Sequence, residues 1–131
     1  MIVIDCSFTM AMVLPDESRP GSMRKVATGR LLAPALWPLE VANALRNVVR
    51  RGRLAEPDVA NLCNRLDAYE IEVQGSGDAS VRQRYLASLT HDLTAYDAAY
   101  LELALHRRCP LATLDERLAQ AAARAGVAVL D

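Results

Sequence analysis

Short strand-like runs alternate with amphipathic helical stretches, which predicts an α/β domain with a mainly parallel, helix-covered sheet. Two observations carry that class. Alanine and leucine supply 22 and 19 of the 131 residues, a bias toward helix. β-Branched residues gather instead in a few short apolar runs, the signature of strands buried on both faces. The length suits one domain over residues 1–131, large enough to bury its own core.

The elements follow in order. "MIVID" is a continuous apolar run ended by an acid and reads as a buried parallel strand. "SFTMAMVL" reads as a short helix capped by Ser7. Residues 15–22, "PDESRPGS", are turn-rich and read as a mobile surface segment. A weak helix to about Gly29 precedes a strand in "RLLAPAL", residues 30–36. Over residues 38–51, Val41, Ala42, Leu45, Val48 and Val49 recur at helical spacing and make one core face. Pro38 suits the first turn of that helix and Gly52 its end. Residues 56–69 form another amphipathic helix through Val59, Leu62, Cys63 and Leu66. "IEV" at 71–73 is a short strand, and "GSGD" at 75–78 is a turn before a helix carrying Val81, Tyr85 and Leu89. Residues 95–107 are strongly helical, 109–114 a strand, 115–126 a helix with a glycine stop, and 127–130 a last strand.

Composition prunes the functions. Fifteen basic and sixteen acidic residues leave a net charge of −1, which argues against a binder that works by bulk positive charge. Lys25 is the single lysine; the other basic residues are arginines. Cys6, Cys63 and Cys109 are odd in number, far apart and free of any C-x-x-C, so neither a disulfide framework nor a zinc knuckle is expected. A reducing cytoplasm fits that usage. The N-terminal apolar run is too short for a signal peptide or a membrane span, so no membrane role is expected. P-loop and G-x-S-x-G motifs are absent, and "GSGDAS" lacks the third glycine of a dinucleotide fingerprint. His91 and His106 lack metal-ligand spacing and suit surface or helix-end roles. Cys6 reads as a small buried apolar residue.

The acids carry the chemistry. Ligand sites of parallel open sheets lie outside the carboxyl ends of the strands. Asp5 ends the first strand and Asp115 follows "LATL"; Glu40 and Asp97 fall in the first turns of two helices. Four carboxylates on one rim repel unless cations intervene, and Mg2+ or Mn2+ suit all-oxygen ligands. Each acid also has a plain structural use. Asp5 and Asp115 are good N-caps, residues 94–97 match a capping box, and Glu40 suits a helix dipole. Position alone leaves both uses open. Ser7 and Thr113 are caps, or hydroxyls that orient Asp5 and Asp115. Asn43 lies on the flank of the Glu40 helix. Arg46, Arg50 and Arg51, with Arg53, cluster on and beyond that helix and are candidates for phosphate contact.

The stretches "MIVIDCS", "APALWPLEVANALRNVVRRGRL", "LTAYDAAYLELALHRRCPLATLDERLAQAA" and "GVAVL" resemble, in order and spacing, the PIN-domain ribonucleases, specifically the VapC-type toxins of prokaryotic toxin–antitoxin pairs. Residues 8–30 match least. The resemblance implies a three-layer α/β/α fold with a parallel five-stranded sheet of order 3-2-1-4-5. It implies that Asp5, Glu40, Asp97 and Asp115 are the acidic quartet, with hydroxyl roles for Ser7 and Thr113 and a matching position at Asn43. No quartet position is missing. The implied chemistry is endonucleolytic cleavage of RNA with one or two Mg2+ or Mn2+ ions. Asp5, Asp97 and Asp115 would hold a first ion, directly or through water, and Glu40 would complete the site and help hold a second. Single-stranded or loop regions of tRNA, rRNA or mRNA are the implied substrates, since duplex RNA hides its bases. A cognate VapB-type antitoxin and a homodimer are implied as well. Two other readings stand beside this one: a non-toxin PIN nuclease of RNA processing, and a catalytically silent interaction module whose acids are helix caps.

Overall fold

The computed structural model describes residues 1–75 and 77–131. Its strands are β1 (Ile2–Ile4), β2 (Leu31–Ala33), β3 (Glu72–Val73), β4 (Leu111–Ala112) and β5 (Val129–Leu130). All pair in parallel, in the order β3-β2-β1-β4-β5. This is the expected order, and burial explains it. Val3, Ile4, Leu32, Ala33, Leu111 and Ala112 have no solvent exposure, so the apolar runs occupy the middle of the sheet. Edge strand β3 is exposed.

The helices are α1 (Cys6–Val13), α2 (Met23–Ala27), α3 (Trp37–Arg50), α4 (Val59–Asp67), α5 (Val81–His91), α6 (Ala95–Arg107) and α7 (Glu116–Arg124). The chain steps from β1 to β2 to β3 in one direction, then crosses to β4 and β5 on the other side of β1. Right-handed crossovers therefore put the early helices on one face and the late ones on the other. Packing agrees: α1 touches α3 and α4, while α6 lies on β1, β4, α5 and α7. The direction of winding reverses between β1 and β4, and ligands bind at such a point.

Several elements differ from the sequence reading. Helix α1 begins at Cys6, and its cap is Asp5, not Ser7. Asp5 is extended (φ −95°, ψ 176°) and its side chain accepts from the Phe8 amide, which leaves Ser7 inside the helix. The strand expected over 30–36 stops at Ala33, since Pro34 has no N–H for the ladder. The helix expected over 56–69 splits into a 3-10 turn at Glu56–Asp58 and α4. The 15–22 segment is irregular, as expected, but Arg53 ties it down through Asp16 at 2.9 Å and Glu17 at 2.8 Å. The turn expected over 75–78 includes Ser76, which lies outside the described residues. Gly52 and Gly126 take φ of +72° and +80° just past α3 and α7, the left-handed stop that glycine adopts without strain.

Helix α5 buries none of its residues. Val81, Tyr85 and Leu89 are 87%, 60% and 59% exposed. It packs on α6 through its less exposed side, and a capping box starts it: Ser80 Oγ accepts from the Gln83 amide at 3.2 Å, and Gln83 Oε1 accepts from the Ser80 amide at 2.7 Å. Ser80→Ala is therefore expected to destabilise α5 by ~1 kcal/mol. Amide hydrogen exchange checks this: protection should drop across α5 and stay unchanged in β1 and β4. No helix among the described residues is long and apolar enough to cross a membrane.

Candidate active site

The register of the central strands builds the site. Ile4 pairs with Ala112, so Asp5 and Thr113, the next residue on each strand, emerge side by side at the carboxyl end of the sheet. Thr113 Oγ1 donates to Asp5 Oδ2 at 2.5 Å. Ser7 Oγ donates to the same carboxylate, at 2.7 Å from Oδ1 and 2.9 Å from Oδ2. The Phe8 amide donates to Oδ1 at 2.8 Å. Both hydroxyls are themselves fixed: Ser7 Oγ accepts from the Leu114 amide at 2.9 Å, and Thr113 Oγ1 from the Asp115 amide at 3.0 Å. Three donated protons thus face a carboxylate with about four lone-pair sites, which leaves one site for a cation. Asp5 is only 5% exposed. Burial pushes its carboxyl up to about 6, against the lowering by Phe8, Thr113 and Ser7, and the Asp115 charge adds a smaller push.

Asp97 reaches the same rim from the first turn of α6. Burial raises its pKa, and the charges of Asp115 and Glu40 raise it further; Thr94 and Arg117 pull the other way. The Thr94 side chain accepts from the Asp97 amide at 3.1 Å. The reciprocal bond that completes a capping box in α5 is not formed in α6. Asp115 caps α7 through Oδ1, which accepts from the Leu118 amide at 2.8 Å. Asp5 and Asp115 are therefore helix caps and rim acids at once. The two uses are compatible, because a carboxylate has lone pairs to spare.

Glu40 comes from the first turn of α3. Sequence reading missed what orients it. Tyr100, 1% exposed on α6, donates its hydroxyl to Glu40 Oε1 at 2.5 Å. Tyr100 follows Asp97 by one helical turn and so shares its face, a spacing that was available as a signal. The other missed link is Trp37, whose Nε1 donates at 3.0 Å to Thr9 Oγ1. Thr9 in turn donates to the Asp5 carbonyl at 2.6 Å. This chain ties the start of α3 to the end of β1.

The remaining candidates sort as follows. Asn43 is exposed on α3 and lines, with Glu40 and Tyr96, a cavity of about 440 Å3. Arg46, Arg50 and Arg51 are exposed, and no hydrogen bond or ion pair holds them among the described residues. Arg53 is taken up by Asp16 and Glu17. His91 ends α5 and pairs with Glu102 at 2.7 Å, and His106 lies in the last turn of α6. Burial, then the Glu40 and Asp5 charges, push the Cys6 thiol up to about 12, so it is no thiolate nucleophile at neutral pH.

Like charges from four elements, the end of β1, α3, α6 and the cap of α7, thus come together at the winding reversal. Among the described residues, no three His, Cys, Asp or Glu side chains stand close enough together to hold one ion directly. The oxygen-only donor set still fits Mg2+ or Mn2+. Mg2+ keeps several waters and binds through one or two carboxylates plus substrate phosphate, so it does not require a closed protein cage.

Comparison with known proteins gives the family and the fold. The model of the PIN domain family matches residues 2–124. Ribonuclease VapC3 of Pyrobaculum aerophilum is 33% identical over 121 residues, 91% of this chain and 92% of that protein. VapC ribonuclease Mb0985 of Mycobacterium bovis is 34% identical over 122 residues, covering 90% of this chain and 88% of its own. Ribonuclease VapC1 of Mycobacterium tuberculosis is 37% identical over 123 residues, covering 89% and 90%. The fold is similar to the crystal structure of PAE2754 from Pyrobaculum aerophilum, with a TM-score of 0.73 at 22% identity over 98% of this chain and 82% of that one.

Proposed function

Because the chain belongs to the PIN-domain family of VapC-type ribonucleases, we propose that it is the toxin of a type II toxin–antitoxin pair and an endoribonuclease dependent on Mg2+ or Mn2+. The gathering of acids at one rim carries the reading: the Asp115 charge acts on Asp5 and Asp97, the Glu40 charge acts on Asp97, and such a cluster is costly without a cation. One or two divalent ions, when bound, supply charge neutralisation and Lewis acidity at a phosphodiester. The chain's own residues do the positioning. Phe8, Ser7 and Thr113 hold the Asp5 carboxylate in one orientation. Tyr100 does the same for Glu40. Asp97 and Asp115 complete the set, directly or through bound water. The products are a 5′-phosphate and a 3′-hydroxyl, and the substrate is a single-stranded or loop region of tRNA, rRNA or mRNA.

The partners in this reading are a cognate VapB-type antitoxin and a second copy of the chain, in a prokaryotic cytoplasm. The antitoxin's C-terminal segment wraps the toxin and sets an arginine against the carboxylates. The competing reading, a silent interaction module, draws on the capping bonds of Asp5 and Asp115, but such bonds do not explain the inward-facing Glu40.

Incubation of purified protein with total RNA, followed by 5′-end mapping, tests the function. Cleavage that requires Mg2+ or Mn2+ and stops in EDTA is expected. No metal-dependent cleavage of any RNA would overturn the proposal. Two variants probe the parts. Tyr100→Phe removes one hydrogen bond to a charged group, so kcat should fall by about tenfold with little change in KM. Replacing Arg46, Arg50 and Arg51 by alanine should weaken RNA binding and flatten its salt dependence, by about 0.7 in log–log slope for each phosphate no longer neutralised. Anisotropy titrations at several salt concentrations measure that slope.

A further inference from the structure

We propose that the cavity of about 660 Å3 beside Tyr96 receives the base of the nucleotide next to the cleaved bond, with the Tyr96 ring as its stacking surface. This rests on the nuclease reading above and adds the substrate subsite to it. Tyr96 immediately precedes Asp97 and is 66% exposed. Its ring lines two cavities at once: the larger one, and the smaller one that holds Glu40 and Asn43. An occupant of both must reach from the carboxylates across an aromatic ridge into an apolar hollow. A phosphodiester with its flanking base has that construction.

The chemistry of the larger cavity points to a ring and not a second phosphate. Pro34, Leu36, Ala99 and Leu103 give it apolar walls. Its volume lies within the ~300–1,000 Å3 typical of small-molecule sites. Its charged lining is balanced, Asp78 and Glu102 against Arg84 and Arg107, with His106 beside them, so no excess of positive charge marks it for a second phosphate. The Arg107 guanidinium donates to Gln74 Oε1, which fixes a polar edge suited to the heteroatoms of a base. Leu39, 78% exposed, lines the smaller cavity with Glu40 and Tyr96, so exposed apolar surface adjoins the acids there too. Exposed aromatics beside a nucleic-acid site are stacking platforms, and unstacked RNA bases are what they take.

The test measures binding of a labelled single-stranded oligoribonucleotide of mixed sequence by anisotropy. It is done with Mg2+ in the Asp97→Asn background, so the probe is not cut. Tyr96→Ala is expected to weaken binding about tenfold, the scale of removing one base–aromatic stack, and Tyr96→Phe to restore it. In the active protein, Tyr96→Ala should raise KM, leave kcat at saturation nearly unchanged, and flatten the base preference at one position beside the cut in a randomised library. If the parent protein cuts RNA while Tyr96→Ala changes neither affinity nor base preference, the subsite falls and the nuclease reading stands. If no RNA is cut by any form but Tyr96→Ala still weakens binding tenfold, the nuclease reading falls and with it the placement beside a cleaved bond, and the hollow is a base-binding site only. Absence of measurable RNA binding overturns the subsite. So does a Tyr96→Ala effect confined to capture of a co-expressed protein partner, which would assign the hollow to a peptide.

Discussion

Replacing Asp97 by asparagine is expected to lower RNA cleavage at least ~10²–10³-fold, the scale of removing one preorganised electrostatic contact. It should do so without cost to the metal-free fold. Asparagine keeps the shape and the backbone amide that donates to Thr94. What it removes is a half-buried charge that burial, Asp115 and Glu40 all disfavour. In EDTA the melting temperature of D97N should therefore equal or exceed that of the parent protein, by relief of like-charge repulsion. In Mn2+ the order should reverse, because only the parent gains the full stabilisation of a bound ion. Undiminished cleavage by D97N sinks the assignment of this carboxylate. A clear drop of its melting temperature in EDTA returns Asp97 to a capping role.

The difference between what sequence shows and what packing adds is plain at these same residues. Asp5 was legible because an apolar run ending in an acid places that acid at the rim of a parallel sheet, and β1 has that form. Glu40 and Asp97 were legible as first-turn acids of two long helices. Their neighbours were not. Tyr100 meets Glu40 across 60 positions and Thr113 meets Asp5 across 108, and contacts so remote in the chain follow from the winding of the sheet. Local competition left the cap of α1 open: Asp5 and Ser7 are both good caps two residues apart, and the extended end of β1 decides for Asp5. Helix α5 shows the limit of periodicity. The spacing of Val81, Tyr85 and Leu89 is helical and the helix forms, yet all three side chains face solvent. Periodicity reports that a face exists and is silent on what covers it.

Acidification from pH 7 to 5 is expected to stabilise the metal-free protein, against the usual direction for a chain rich in carboxylates. The cause is Asp5, whose carboxyl titrates at about 6 in the folded state against 3.8 for the free side chain. Between those values the folded protein binds the proton and the unfolded chain does not, so stability falls as pH rises through the window. The penalty at pH 7 amounts to about 3 kcal/mol; roughly half of it is relieved by pH 5 and all of it below the unfolded pKa. Asp97, also raised, adds in the same direction. Asp16 and Glu72 act oppositely, since Arg53 and Arg30 hold their carboxyls below the usual range. Their contribution is present above the unfolded pKa and is lost only as pH falls through the lowered values, beneath the Asp5 window. Melting temperature in EDTA should therefore rise by a few degrees from pH 7 to 5 before acid unfolding intervenes. Asp5→Asn keeps a good N-cap and removes the titration, so its profile should be flat over that interval. Mn2+ should raise the melting temperature of the parent at pH 7 and progressively less at lower pH, because a protonated carboxyl is a poor ligand. A parent profile that falls from pH 7 to 5, or one that Asp5→Asn reproduces, would show that the Asp5 carboxyl does not carry this strain.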